Sequence, residues 1–394
     1  VTDQIAGGPG WARQAPEPGA GSGGHLPRAP RGVGAGPKVA LLAVVGLLFG
    51  YVLTHRYTPP PAAAPVAAPV STGPLPALPW LGGRPGTGPP GLRLLAGDRT
   101  PRLVDAHTGQ VTPPPGLDLW PESVVSVFAL RPGTLAAVTE PYGGAGGRFL
   151  VRPGAQPLLL GTDAGVLPSR DGQLILTVYR RGGTTVTGLT LGRRLRWQWQ
   201  LPGLAIAVRD TPAGLVVEQY DGPHGRAANL LLLDPKTGAV RREIGRGDIA
   251  ASSDTTIAWT PADCPDACSL VVTTLAGGAT RRYAMPIYWR PDRGAFAPDG
   301  RTLALTFPAT GRIGVSRPGF VVMLDLTLTT FTRVRDLRTG SGLGAEVGWS
   351  PDGGYLVIAV NWPDHQQFAL WRAGRLTVLP TVLPGQPGPL TVLA

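Results

Sequence analysis

The chain has 394 residues, 43% of them hydrophobic, enough to fill the core of one large domain or two ordinary ones. Its formal charge of +11 suits a nucleic-acid binder, but of the 36 Lys and Arg residues only Lys38 and Lys236 are lysines. The arginines are scattered, with no basic helix and no stripe of alternating Lys and aromatics, which argues against nucleic-acid binding.

Residues 1–37 are rich in Gly, Pro and Ala without apolar periodicity, the composition of a disordered tail. The next segment, 38–57, reads KVALLAVVGLLFGYVLTHRY. Val39 to Leu53 is uncharged and apolar, short for a bilayer but flanked by Lys38 and by a snorkelling Arg56. It reads as a transmembrane signal anchor, or else as a signal peptide cut within PAAAPVAAP; the long lead and the lack of a clean cleavage context favour the anchor. Arg13, Arg28, Arg31 and Lys38 precede it, so the tail is expected in the cytoplasm. The C-terminal part is then extracytoplasmic, on a single-pass protein of the cell membrane. Gly46 and Gly50 form a small-xxx-small pair that would support a weak homodimer.

From Thr58 to Pro90, 11 of 33 residues are proline, the composition of a semi-rigid polyproline spacer. Residues 91–394 then show a degenerate repeat, a small-polar turn followed by an alternating apolar run. Copies centre on Gly133, Gly172, Gly214, Asp254, Gly300 and Gly353, at intervals of 39, 42, 40, 46 and 53 residues. A period near 40 that carries only strands is the signature of a β-propeller blade. In the unit around Gly300, GAFAPDG, RTLALTFP, GFVVMLDL and FTRVRDL parse as strands a, b, c and d. LRLLAGD, PRLVDAHTG and QVTPPPG precede the first unit as b, c and d strands, and GPLTVLA follows the last as a lone strand. The expectation is an all-β propeller of seven blades closed by a mixed N- and C-terminal blade, although six or eight need only one misread unit.

The only cysteines, Cys264 and Cys268, form a C-x3-C pair. With no second pair and no nearby histidine, a small-loop disulfide of an exported domain is favoured over half a metal site.

APDGRTLALTF and SPDGGYLVIAV resemble the Pro-Asp-Gly repeats of TolB-like and WD-related propellers. Asp105-Ala-His-Thr-Gly109 and Asp234-Pro-Lys-Thr-Gly238 resemble the c–d hairpins of quinoprotein-type propellers. The resemblance covers Gly91 to Ala394 and implies fold, not activity. The tryptophan that usually follows such hairpins is replaced by Arg241 and Arg242 in one and by prolines in the other, a departure that counts against a quinone cofactor.

The b–c loops are the long ones, and insertions gathered on one face mark the binding face of a repeat protein. They carry Tyr142, Arg148, Arg180, Arg181, Tyr220, His224, Arg226, Arg312, Arg317, Trp362, Asp364 and His365. Arg, Tyr and Trp anchor interfaces, while glycine-rich solvated loop tips are the plain alternative. Catalysis has less support. No G-x-S-x-G is present, Glu numbers six, and no carboxylate recurs at the start of strand a. Asp299 and Asp352 sit at turn positions, and Asp364 and His365 are neighbours expected to point opposite ways on an extended segment. No metal and no cofactor is expected. The chain is thus read as a stalked, membrane-tethered module binding an envelope protein or an anionic cell-surface component through its b–c loops. The alternatives are a lactonase- or quinoprotein-type enzyme acting on a small exported substrate, and a plain envelope spacer.

Overall fold

The computed structural model describes residues 80–393 except 97–100, 116–123, 132–133, 140–147, 153–154, 162–163, 181, 193, 221–226, 264–267, 286–289, 309, 313–314, 318, 340–343, 386–387 and 389. The tail, the apolar segment Val39 to Leu53 with Gly46 and Gly50, and Tyr142, Arg181, His224, Arg226 and Cys264 lie outside the described residues. Arg148, Arg312 and Arg317 are described for their backbone alone. Among the described residues every regular element is a strand, and no helix is long and apolar enough to cross a membrane.

The strands pair antiparallel in chain order, each linked to the next by a turn or loop. Val124–Arg131, Thr134–Thr139, Arg148–Arg152 and Ala155–Gly161 form one four-stranded sheet. Ala164–Pro168, Leu174–Arg180, Gly183–Leu189 and Leu195–Pro202 form the next. Leu204–Thr211, Gly214–Tyr220 and Ala228–Leu233 lead into the long strand Val240–Ser252. Its first half pairs back with Ala228–Leu233, and from Gly247 onward it pairs forward with Thr256–Pro261. It therefore closes one four-stranded unit and opens another, completed by Ser269–Thr274 and Thr280–Ala284. Arg293–Phe296, Thr302–Phe307, Phe320–Asp325 and Thr330–Arg333 follow, then Ala345–Trp349, Leu356–Asn361, His365–Arg372 and Arg375–Pro384.

The C-terminal strand Thr391–Leu393 completes a sheet with Arg93–Ala96, Arg102–Asp105 and Val111–Thr112 from the other end of the described chain. Leu94 sits opposite Val392 in that register. This is the mixed closing sheet expected from the unpaired strands at both ends of the repeat. Within the proline-rich stretch 58–90, Arg84–Pro85 runs parallel to Arg375–Pro384 as a fifth strand, and Trp80–Leu81 pairs with Leu337–Arg338.

The core lies between successive sheets. In Leu356–Asn361, Leu356, Ile358 and Val360 pack with Ala304, Val321 and Met323 of the preceding sheet. The alternate residues Val357 and Ala359 join Phe368, Leu94, Val104 and Val392 against the closing sheet. Because side chains alternate along a strand, a second strand buried on both faces must be apolar at every position. That accounts for runs such as TLALTF and LVIAVN, buried at nearly every residue. Similar cores join each remaining pair of neighbouring units from Ala136 onward.

Turns explain the repeated acidic residues. Asp299 accepts the Arg301 N–H at 2.8 Å, and Asp352 accepts the Gly354 N–H at 3.0 Å and the Ser350 hydroxyl at 2.5 Å. Gly300 and Gly353 follow at φ 68° and 71°, where a Cβ is disfavoured. The c–d hairpins use the same chemistry. Asp105, Asp234 and Asp325 each accept two backbone N–H groups, from the residues two and three further on.

Candidate functional site

Each unit has two ends: one carries the a–b turns and c–d hairpins, the other the b–c loops and the connections into the next first strand. At the b–c end the first strands of neighbouring sheets bring together residues that lie far apart in sequence. Asp248 is at the entry to the first-strand half of Val240–Ser252, Asp292 immediately precedes Arg293–Phe296, and Glu346 is the second residue of Ala345–Trp349. No carboxylate was expected to recur at the start of strand a. The three hold different places in register, Asp292 just outside its strand and Glu346 one residue inside, so they are linked through the arginines between them and not by a recurring position.

The segment Arg290-Pro291-Asp292-Arg293 ties these strands together. Arg290 forms an ion pair with Asp248 of the preceding sheet, and Arg293 pairs with Glu346 of the following one. The first pair is exposed; the second is sheltered, with the Glu346 side chain only 11% exposed. Burial pushes the Glu346 carboxyl above its ordinary value; the Arg293 guanidinium opposes that shift and Asp292 reinforces it. The backbone is fixed beside it, since the Arg293 N–H donates to the Thr306 hydroxyl at 3.2 Å and that hydroxyl donates back to the Arg293 carbonyl at 3.1 Å.

Glu218 and Tyr220 close one side of the cluster, near the b–c end of Gly214–Tyr220. The Tyr220 hydroxyl donates to Glu218 Oε2 at 3.3 Å, and the Ile249 N–H, next to Asp248, donates to Oε1 at 3.3 Å. Desolvation raises the Glu218 carboxyl, helped by the nearby Asp248 charge and opposed by those two hydrogen bonds. Burial, followed by Glu218 and Asp248, pushes the Tyr220 phenol up, so it stays a donor through the physiological range.

Of the loop residues expected to bind, Tyr220 belongs to this cluster and the exposed Arg180 ends its own second strand at the same end of the sheets. Trp362, Asp364 and His365 group separately on the hairpin after Leu356–Asn361. The His365 ring stacks on Trp362 with centroids 5.1 Å apart, and His365 Nδ1 lies 2.7 Å from Asp364 Oδ1. The adjacent pair therefore does meet, against the expectation for an extended segment, because a turn brings the Trp362 N–H to the His365 carbonyl at 2.9 Å. No group of three or more potential metal ligands occurs among the described residues.

No protein-family profile matches the chain, and no curated protein sequence does. Solved structures do. A presumed 6-phosphogluconolactonase of Bacteroides fragilis aligns at 14% identity and TM-score 0.51, covering 77% of this chain and 98% of that one. Oligogalacturonate lyase of Vibrio parahaemolyticus aligns at 10% identity and TM-score 0.49, over 72% and 86%. TolB of Acinetobacter baumannii aligns at 13% and 0.43, over 76% and 66%. At these identities the likeness concerns fold alone.

With the strand orders and the inter-sheet cores, it places the chain among the β-propellers, the class toward which the Pro-Asp-Gly turns pointed. A fold of this kind does not by itself fix a function, so catalysis is left open.

Proposed function

We propose that this protein is a seven-bladed propeller that binds a small ligand bearing hydroxyl or cationic groups at the b–c end of its sheets. The count takes Val240–Ser252 as shared by two blades and the mixed terminal sheet as the closing one. The carrying observation is the chain of ion pairs by which Arg290 reaches Asp248 and Arg293 reaches Glu346 across three successive first strands, with Asp292 between the two arginines and Glu218 and Tyr220 beside Asp248. Carboxylates paired with arginine and a phenol offer both acceptors and donors, which suits a polyhydroxylated or amine-bearing molecule. That acidic balance favours such a ligand over the anionic component suggested by the loop arginines. We further propose that residues 38–57 tether the propeller to the membrane, that the propeller is extracytoplasmic, and that Cys264 pairs with Cys268. The last point is supported by the disulfide-bonded state of Cys268.

The test is calorimetric. Full-length protein is screened against neutral sugars, amino sugars and polyamines, and a ligand that raises the melting temperature is titrated against Asp292→Asn and Tyr220→Phe. Loss of the shift in both variants supports the site, whereas an unchanged shift refutes it. A second reading has its own observation: burial raises the Glu218 carboxyl while the Tyr220 hydroxyl and the Ile249 N–H hold it in place, a shift of the kind a general acid needs. Turnover of the bound ligand, lost in Glu218→Gln, would favour that enzymatic reading.

A further inference from the structure

The opposite end of the sheets carries a different surface. Its c–d hairpins are tied side by side through four neighbouring units. The Trp199 indole donates to the Pro235 carbonyl at 3.0 Å, Arg242 donates to the Leu275 carbonyl, and Arg281 donates to the Leu326 carbonyl at 2.6 Å. Each bond runs from a fourth strand to the hairpin of the next unit, so the hairpin tips form one continuous rim.

Three large apolar side chains stand out from that rim, on three different units: Leu195 at 55% exposure, Val240 at 57% and Leu328 at 67%. Nothing in the hairpin chemistry requires them, since the turns are held by Asp234, Asp325 and backbone bonds. Basic groups accompany them. Lys236 occupies the hairpin before Val240, Arg242 follows it, and Arg281 lies in the unit between Val240 and Leu328. Arg242 and Arg281 bond to neutral carbonyls there and so keep their charge at the rim. Of the described acidic residues at this end, Asp171, Asp234 and Asp254 pair with Arg196, Arg241 and Arg209, Asp210 accepts from the Ser169 hydroxyl and the Arg170 N–H, and Asp105, Asp299, Asp325 and Asp352 accept backbone N–H groups of their own turns.

We propose that this rim seats on an anionic lipid bilayer. Apolar tips set singly on neighbouring hairpins, with cations between them, suit a surface that takes each tip separately. A bilayer is itself a plane, and it accepts separate apolar tips at the acyl boundary while lipid phosphates take the neighbouring Arg and Lys. The sign fits a chain of charge +11.

The test uses the full-length protein reconstituted in vesicles, with an environment-sensitive dye on Leu328→Cys, on Val240→Cys as a second reporter, and on Arg180→Cys at the other end. Cys268 is disulfide-bonded, so the new thiol is the one labelled. With phosphatidylglycerol present, emission at positions 328 and 240 should rise several-fold over pure phosphatidylcholine. The gain should vanish at about 1 M salt, where the Debye length is about 3 Å. Position 180 should not respond. Equal emission in both lipids at 328 and 240, or an equal rise at 180, overturns the proposal.

Discussion

Arg290 and Arg293 stand on one connecting segment yet bond in opposite directions, Arg290 to Asp248 of the sheet before and Arg293 to Glu346 of the sheet after. The two bonds differ in worth. The exposed pair is screened by water, whereas Glu346 has lost most of its hydration and depends on its partner.

Arg293→Ala should therefore destabilise the protein by about 3–5 kcal/mol, because it strands a buried carboxylate. Arg293→Met combined with Glu346→Gln should recover most of that loss. Urea denaturation of the three proteins checks this, and a double variant no better than the single one would show that the pair is not the source.

Glu218 gives a pH prediction. Its carboxyl is raised on folding, so the folded state holds the proton more tightly than the unfolded chain. The stability this confers is complete below the unfolded value, near 4.5, and is lost as pH rises through the folded value. Glu218→Gln keeps an acceptor for Tyr220 and removes the charge. Its melting temperature should exceed that of the parent at about pH 8 and match it at about pH 4. Scanning calorimetry at the two pH values decides.

Thr329 has φ 59°, at the hairpin position where Gly109, Gly238 and Gly278 have φ 73°, 73° and 71°. In all four cases the residue's N–H closes on the carbonyl four positions earlier, at 2.8–2.9 Å. A β-branched side chain in the left-handed region is strained, so Thr329→Gly should stabilise by about 1 kcal/mol, read from the urea midpoint.

Ending the chain at Gly388 removes Leu390 and Val392, both buried against the last full sheet. At about 1.5–3 kcal/mol for each aliphatic side chain, the loss should be about 3–6 kcal/mol. It also uncovers the edge of Arg93–Ala96, so light scattering should report association that the intact chain does not show.

The fold was legible because its signals are local. Pro-Asp-Gly turns, uninterrupted apolar second strands and strands left over at both ends can each be read within a dozen residues. The cluster at the b–c end was not legible in that way. Asp248 stands in RGDIA, Asp292 in RPDRG and Glu346 in GAEVG; they share no motif and no single place in register, and what relates them is the pair of ion pairs made by Arg290 and Arg293. Tyr220 drew notice because an aromatic residue at the edge of a long loop is conspicuous. Glu218, two residues earlier on the same strand, carries no such mark. The contact between Asp364 and His365 was misjudged because alternation along a strand fails at a turn.

The shared strand Val240–Ser252 has a mechanical consequence. Two neighbouring sheets that own a single uninterrupted backbone cannot tilt against each other by bending a loop, because no loop lies between them. Any breathing of the ring must be taken up at other joints, such as Gly203, which at φ 70° links two sheets by one residue. The ion pair from Arg290 thus docks onto a pair of sheets without a joint, so Asp248 makes a fixed post against which the other side of the cluster can move.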